Sequence, residues 1–180
     1  MRTILPEDKN PALREVAHEI PVADIKSPEV QKLIKEMRTL LSKEEFGVAL
    51  AAPQLGESLR LFIVSGRALA RDARNAPDEP DKKEEAAVAL PDQIYINPVM
   101  TKLSRAKSDK HEGCLSIRGK WGEVPRAEKA TIKAYDEHGR KITRGASGFL
   151  AHIFQHEMDH LEGILYTDKA TKVYVETPEK

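Results

Sequence analysis

Gln155-His156-Glu157-Met158-Asp159-His160-Leu161-Glu162-Gly163 is the stretch on which the reading of this chain turns. It contains His-Glu-x-x-His. In a helix, residues four apart share a face, so His156 and His160 are set to hold one metal ion between them. Glu157, between the two, is placed to shuttle a proton for a water at that metal. Ser147 is a candidate cap for the helix and Gly163 a candidate stop. Phe149, Leu150, Ile153, Phe154 and Leu161 give it apolar surface around much of its girth, as expected of a central helix buried on most sides. The bland alternative is a chance match on a solvated helix. Apolar neighbours argue against it, because a buried imidazole without a partner is costly and a metal would satisfy it.

Around this helix, 180 residues of which 40% are hydrophobic suffice for one well-packed core and give little reason for two. Residues 1–180 are therefore read as a single catalytic domain. Twenty-nine basic residues balance twenty-nine acidic ones, so no global field draws the chain to nucleic acid or to an anionic membrane. The lone cysteine, Cys114, cannot close an intramolecular disulfide, which points to a reducing compartment. No signal-like segment opens the chain and no apolar run approaches membrane-spanning length, so a cytoplasmic location is expected.

Taken in order, Asn10-Pro11 starts a short helix with Leu13, Val16 and Ile20 on one side, ended by Pro21. Ser27-Pro28 opens a second, to about Glu45, on the stripe Val30, Leu33, Ile34, Met37, Leu40 and Leu41. Gly47 to Gly56 is small-residued and interrupted by Pro53, an extended segment and then a turn. Leu59–Ser65 reads as a buried strand, and Ile94–Met100 as a strand kinked at Pro98. Between them, residues 71–93 carry seven acidic residues, four basic ones and three prolines, and are expected to form a mobile, solvated loop. Thr131–Tyr135 and Lys141–Thr143 make a hairpin about Glu137-His138-Gly139. After the histidine helix, Ile164–Tyr166 and Val173–Val175 suit short strands, and Thr177–Lys180 should fray.

A catalytic metal needs a third protein ligand and an open position. Two zinc-protease patterns fail here. Where one would put a third histidine the chain has Tyr166, and the distant glutamate required by the other is offered only by Glu176, outside any helical pattern. Cys114, in Glu112-Gly113-Cys114-Leu115-Ser116, is the remaining soft ligand. Alone it reads more readily as a small buried hydrophobe. With two imidazoles, a thiolate makes a good divalent transition-metal set.

Three segments together resemble the peptide deformylase family, whose motifs are Gly-Φ-Gly-Φ-Ala-Ala-x-Gln, Glu-Gly-Cys-Leu-Ser and Gln-His-Glu-x-Asp-His, with Φ a hydrophobic residue. The chain has Gly47-Val48-Ala49-Leu50-Ala51-Ala52-Pro53-Gln54, Glu112-Gly113-Cys114-Leu115-Ser116 and Gln155-His156-Glu157-Met158-Asp159-His160, in the same order. The resemblance implies an α+β fold of mostly antiparallel strands partly wrapping a central metal-binding helix, with further helices at the N-terminus. It implies that Cys114, His156 and His160 bind one divalent metal, natively Fe²⁺, with Zn²⁺, Ni²⁺ or Co²⁺ able to substitute. Glu157 would be general base and then general acid in hydrolysis of the N-terminal formyl group of nascent proteins. Gln54 and the backbone N–H of Leu115 would meet the oxyanion. The peptide would pair along Gly47, Val48, Ala49, Leu50 and Gly113, with its methionine side chain near Val48, Phe149 and His152. The partners so implied are N-formylmethionyl nascent peptides, with at most a transient contact with the ribosome.

Ala49 stands where the motif has its second glycine, and its methyl is expected to restrict a peptide's approach or a positive φ. His152, one turn before His156, is a candidate to line the side-chain pocket, to support the site from behind, or to be merely a satisfied polar residue. Trp121 is placed in a loop after the cysteine motif, at the rim of the groove or in ordinary packing. Arg126 and Asp159 are a candidate buried pair beneath the site. A hydrolase acting on another N-acyl group and a binding protein with a structural metal stay open as alternatives. Glu157 and Gln54 argue against the second, since a closed structural site needs neither.

Overall fold

The computed structural model describes residues 2–75 and 90–176. Part of the charged segment, residues 76–89, and the polar end 177–180 lie outside the described residues, so the expectations of a mobile loop and a fraying tail are not addressed there. On either side of the gap the chain is regular. Residues 71–75 belong to a helix and strand begins again at Gln93.

Among the described residues, eight strands form two antiparallel sheets. β1 (Ala49–Ala51), β2 (Leu61–Val64), β3 (Gln93–Leu103), β6 (Lys129–Tyr135) and β7 (Lys141–Ser147) are adjacent in that order; β4 (Lys107–Cys114), β5 (Ile117–Ala127) and β8 (Lys172–Val175) make the second sheet. Helix α1 (Pro28–Lys43) packs on the first sheet, and α2 (Gly66–Asn75) follows β2. Helix α3 (Gly148–Leu161), which carries the histidines, packs against β1, β2, β5, β6 and β7. This is the expected α+β architecture of strands about a central helix. The strands β4 and β5 were not anticipated, and Trp121 lies on β5 rather than in a loop.

Helix α1 follows its apolar stripe. Ser27 Oγ accepts from the Val30 N–H at 3.3 Å and Pro28 takes the first helical position, where no N–H is needed. Val30, Leu33, Ile34, Met37 and Leu41 are buried against Leu50, Leu61, Ile63 and Ile96, each worth about 1.5–3 kcal/mol relative to exposure. A second cluster, with Phe62, Tyr95 and Phe154 in mutual ring contact, lies between the first sheet and α3. β1 divides the two, sending Ala49 and Ala51 to one and Leu50 to the other.

The N-terminal segment departs from its expected helix. Only Pro11–Arg14 turns, as 3₁₀, while Val16 is exposed. The following backbone uses tertiary partners instead: Ala17 N–H donates to the Leu161 carbonyl at 2.9 Å, and His18 bridges the Ser58–Arg60 segment. Ile164–Tyr166 is likewise not a strand. Asp168 accepts from the Leu165 N–H at 2.9 Å and starts a single turn, α4 (Tyr166–Lys169). The kink at Pro98 is present as a bulge in β3 with Asn97 at φ 49°, its amide paired with both the N–H and the carbonyl of Ile20.

Candidate metal centre

Helix α3 is held at both ends. Ser147 makes no side-chain cap; the Leu150 N–H is met by Asp72 of α2 at 3.1 Å. At the other end Gly163 takes φ 70°, Ile164 N–H reaches back to the Asp159 carbonyl and Gly163 N–H to that of His160, a Schellman stop. A Cβ at Gly163 would lie 2.9 Å from the backbone of Arg14, so glycine is needed for space as well as for φ. Gln155, on the side of α3 facing β5, accepts from the Ala127 N–H and donates to its carbonyl, locking the helix to the second sheet.

The β4–β5 hairpin turns tightly, with Cys114 opposite Ile117 and only Leu115 and Ser116 between them. It carries the thiol to the helix. Ligand atoms of Cys114, His156 and His160 all lie within 4.8 Å of one another, the one such group among the described residues. Cys114 Sγ is 3.4 Å from His160 Nε2, and the two imidazoles meet edge to face at 4.9 Å. Among the described residues, His160 Nδ1 and Glu157 Oε2 are buried without a hydrogen-bond partner. A thiol and two imidazoles converging within this span, beside the unpaired Glu157 oxygen, are a donor set that suits a soft or borderline divalent cation, so the residues present fit a metal.

Electrostatics follow from burial and neighbours. Burial pushes the Glu157 carboxyl up to about 7, more than His156 draws it down. Burial opposes charge on His156, but its hydrogen bonds to Cys114 and Glu112 carry its pKa well above the ordinary imidazole range. Burial, then the neighbouring His156, hold His160 well below that range, leaving a neutral ring able to donate a lone pair.

Glu112 is the hub beneath. It is 2% exposed, and its oxygens take Arg126 Nε at 2.6 Å and Nη2 at 3.0 Å, His156 Nδ1 at 2.7 Å and His152 Nε2 at 2.9 Å. Burial raises its pKa, but the bonds from His152, His156 and Arg126 outweigh this and hold the carboxyl far below the usual range. Arg126 also donates to Asp159 at 2.7 Å, the pair expected from sequence, and Lys169 closes on the other Asp159 oxygen at 2.7 Å. The hub itself was missed, because bonds that join β4, β5 and the histidine helix leave no local pattern in the sequence.

Gln54 is oriented by its own backbone. Its Oε1 accepts from the Ala51 N–H at 2.8 Å, which fixes which amide atom is oxygen and turns Nε2 toward Cys114 Sγ at 3.5 Å and Ser116 Oγ at 3.4 Å. A cleft of about 1070 Å³ opens above, between β1 and β4. Gly47, Val48, Ala49, Gln54, Gly113 and Leu115 line it, as do Cys114, Phe149, His152, His156 and Glu157. Leu50 is fully buried in the α1 core, and only its backbone lies along the cleft strand. Trp121 rises from β5 over Gly113 at the rim, its Nε1 donating to Glu176. Ala49 is in extended strand opposite Val64 and needs no positive φ.

The family model described as Polypeptide deformylase matches residues 1–175. Among curated relatives, the chain is 41% identical over 146 residues to peptide deformylase 2 of Ralstonia nicotianae, covering 81% of this chain and 75% of that one. It is 33% identical over 165 residues to the peptide deformylase of Desulforudis audaxviator, covering 92% and 91%. The crystal structure of peptide deformylase from Thermotoga maritima superposes with TM-score 0.75 at 27% identity, covering 96% of this chain and 99% of that one. A structure from Synechococcus elongatus in complex with actinonin also gives 0.75, at 27% identity, covering 95% and 79%. A match along nearly the whole sequence and a fold shared end to end lead to one assignment: the chain belongs to the polypeptide deformylase family.

Proposed function

We propose that this chain hydrolyses the formyl group from the N-terminal methionine of nascent proteins, with Cys114, His156 and His160 as metal ligands and Glu157 as the proton-transfer group. The observation that carries this reading is the convergence of those three donors beside a buried, unpaired carboxylate oxygen and an oriented neutral amide. When bound, a divalent transition metal would act as a Lewis acid toward water and the formyl oxygen. The native ion in this reading is Fe²⁺, with Zn²⁺, Ni²⁺ or Co²⁺ as substitutes.

Glu157 takes the proton of the attacking water as the water oxygen bonds to the formyl carbon. Oxyanion charge is met by Gln54 Nε2, held in place by the Ala51 bond, and by the Leu115 N–H. As the C–N bond breaks, Glu157 returns the proton to the leaving amine; formate and a free methionine amine result.

The cleft suits an extended peptide. β1 and β4 are edge strands of their sheets, so the backbone from Gly47 to Leu50 and at Gly113 has a side open for an added strand. Val48, Phe149 and His152 would surround the methionine side chain. The reading extends to one catalytic domain working in the cytoplasm on emerging chains, with only a transient ribosome contact; no described helix is long and apolar enough to cross a membrane. The test is formate release from formyl-methionyl peptides by anaerobically prepared Fe²⁺ protein beside Glu157→Ala. Turnover by wild type alone, absent on acetylated peptides, is expected. Full metal content without turnover would overturn the reading.

A further inference from the structure

We propose that His152 is a positioning residue for the His156 imidazole, acting through the Glu112 carboxylate that both rings share. The inference rests on the reading above that His156 is a metal ligand. His152 and His156 are four residues apart on one face of α3, and both meet Glu112 across the gap to β4. His156 Nδ1 is 2.7 Å from Glu112 Oε2, while His152 Nε2 is 2.9 Å from Oε1. A carboxylate offers about four lone-pair sites, and two bonds from Arg126 fill the others.

The consequence is orientation. Beside a carboxylate, His156 Nδ1 carries its proton and donates, which leaves Nε2 as the lone pair facing Cys114 and His160. The terminal torsion of a glutamate is soft, with broad rather than discrete minima. Arg126, itself braced by Asp159, grips Glu112 directly and does not line the cleft. His152 grips it from the cleft side, where it also lines the wall and packs edge to face on Phe149. Its side chain is 13% exposed, so it stands between Glu112 and the solvent of the cleft. Without it, one acceptor site on Oε1 opens to water, and the carboxylate plane that aims His156 is held from one side only.

A core-filling role makes a different prediction, because an apolar residue of similar size would then serve. Metal-free protein is loaded with Co²⁺, the dissociation constant is measured against a competing chelator, and the visible bands of the thiolate-bound ion are recorded. His152→Leu is expected to weaken Co²⁺ binding about tenfold, the low end for an outer hydrogen-bond partner, and to shift the bands. His152→Gln, whose amide nitrogen can replace the Nε2 donor, should restore most of the affinity and the wild-type spectrum. In a Glu112→Gln background the leucine effect should largely vanish. Wild-type affinity and bands in His152→Leu, or a loss undiminished in the Glu112→Gln background, would overturn the proposal. Should the leucine variant not fold, His152→Asn, polar but too short to reach, carries the same two outcomes. Normal Co²⁺ coupling without formate release by wild type would sink the functional reading alone.

Discussion

Gln54 Nε2 stands 3.5 Å from Cys114 Sγ because Gln54 Oε1 is tied to the Ala51 N–H at 2.8 Å. The donor is therefore aimed before any peptide arrives, and an aimed donor is most effective where charge develops late. Gln54→Leu should lower kcat by about 10²–10³-fold with a much smaller change in KM. Metal content, measured by atomic absorption, should stay at the wild-type level. A rise in KM with kcat intact would assign Gln54 to peptide binding instead.

Arg126 joins two carboxylates that are themselves largely buried, Glu112 and Asp159. Burial would lower its pKa, but its bonds to Glu112, that carboxylate's charge and then the charge of Asp159 raise it. Arg126→Leu removes two of the four bonds to Glu112 and the Asp159 bond with them. Urea denaturation should show a loss of about 3–5 kcal/mol, the cost of breaking a buried pair from one side. A loss below about 1 kcal/mol, typical of exposed pairs, would mean that water reaches the network.

Glu157 has its folded pKa above the ordinary 4.5, at about 7, chiefly from burial. Such a carboxyl binds its proton more tightly when folded. In the metal-free protein its contribution to stability is thus fully present below about pH 4.5 and lost as pH rises through about 7. His156, with its pKa raised, adds a loss in the same direction. His160, with its pKa lowered, contributes in the opposite sense, so the readout is the difference: on calorimetry of metal-free protein, Tm should fall more, or rise less, across this window in wild type than in Glu157→Gln. Added Zn²⁺ should raise Tm more at about pH 8 than at about pH 5.5, since its ligands must shed protons. An equal rise at both would contradict the pKa ordering.

Periodicity made α1 and the histidine helix readable, while Cys114 as third ligand and Gln54 as oxyanion donor were legible through the resemblance of the three motifs to the deformylase family. What periodicity could not reveal is instructive. β4 and β5, Lys-Ser-Asp-Lys-His-Glu-Gly-Cys and Ile-Arg-Gly-Lys-Trp-Gly-Glu-Val-Pro-Arg-Ala, bury few apolar residues, because their sheet is narrow and largely exposed on one face. With no apolar alternation, they look like loop. The role of Glu112 was hidden for a related reason: hydrogen bonds between distant segments leave no local pattern, and for His152 the sequence left pocket lining and support of the site side by side. The N-terminal segment failed by the opposite route, its helix-like spacing overridden by backbone bonds to Leu161 and Ser58.

Trp121 is the only tryptophan, and its ring covers Gly113 so closely that a Cβ there would fall 2.9 Å from the ring. Gly113→Ala must push the ring outward, away from the strand edge along which a peptide would pair. KM for formyl peptides should rise about tenfold, or 1.4 kcal/mol, with metal affinity unchanged. Tryptophan emission should shift in the variant and, in wild type, respond to peptide. Silent fluorescence in both cases would place Trp121 outside the binding surface.

Ala49 is the departure from the family motif that raised the question of peptide approach, and its surroundings bear on the answer. Its backbone is ordinary strand, paired with Val64, so glycine's access to positive φ is not needed. Its methyl is 6% exposed and sits in the cluster with Phe62 and Leu150, at the floor of the cleft rather than across it. Ala49→Gly should therefore cost about 0.5–1 kcal/mol of stability through added backbone freedom in a strand. It should leave KM for formyl-methionyl peptides near the wild-type value. If KM instead falls severalfold, the methyl does obstruct the peptide, and the chain must be tuned to a substrate that approaches β1 less closely than a plain formyl-methionyl strand would.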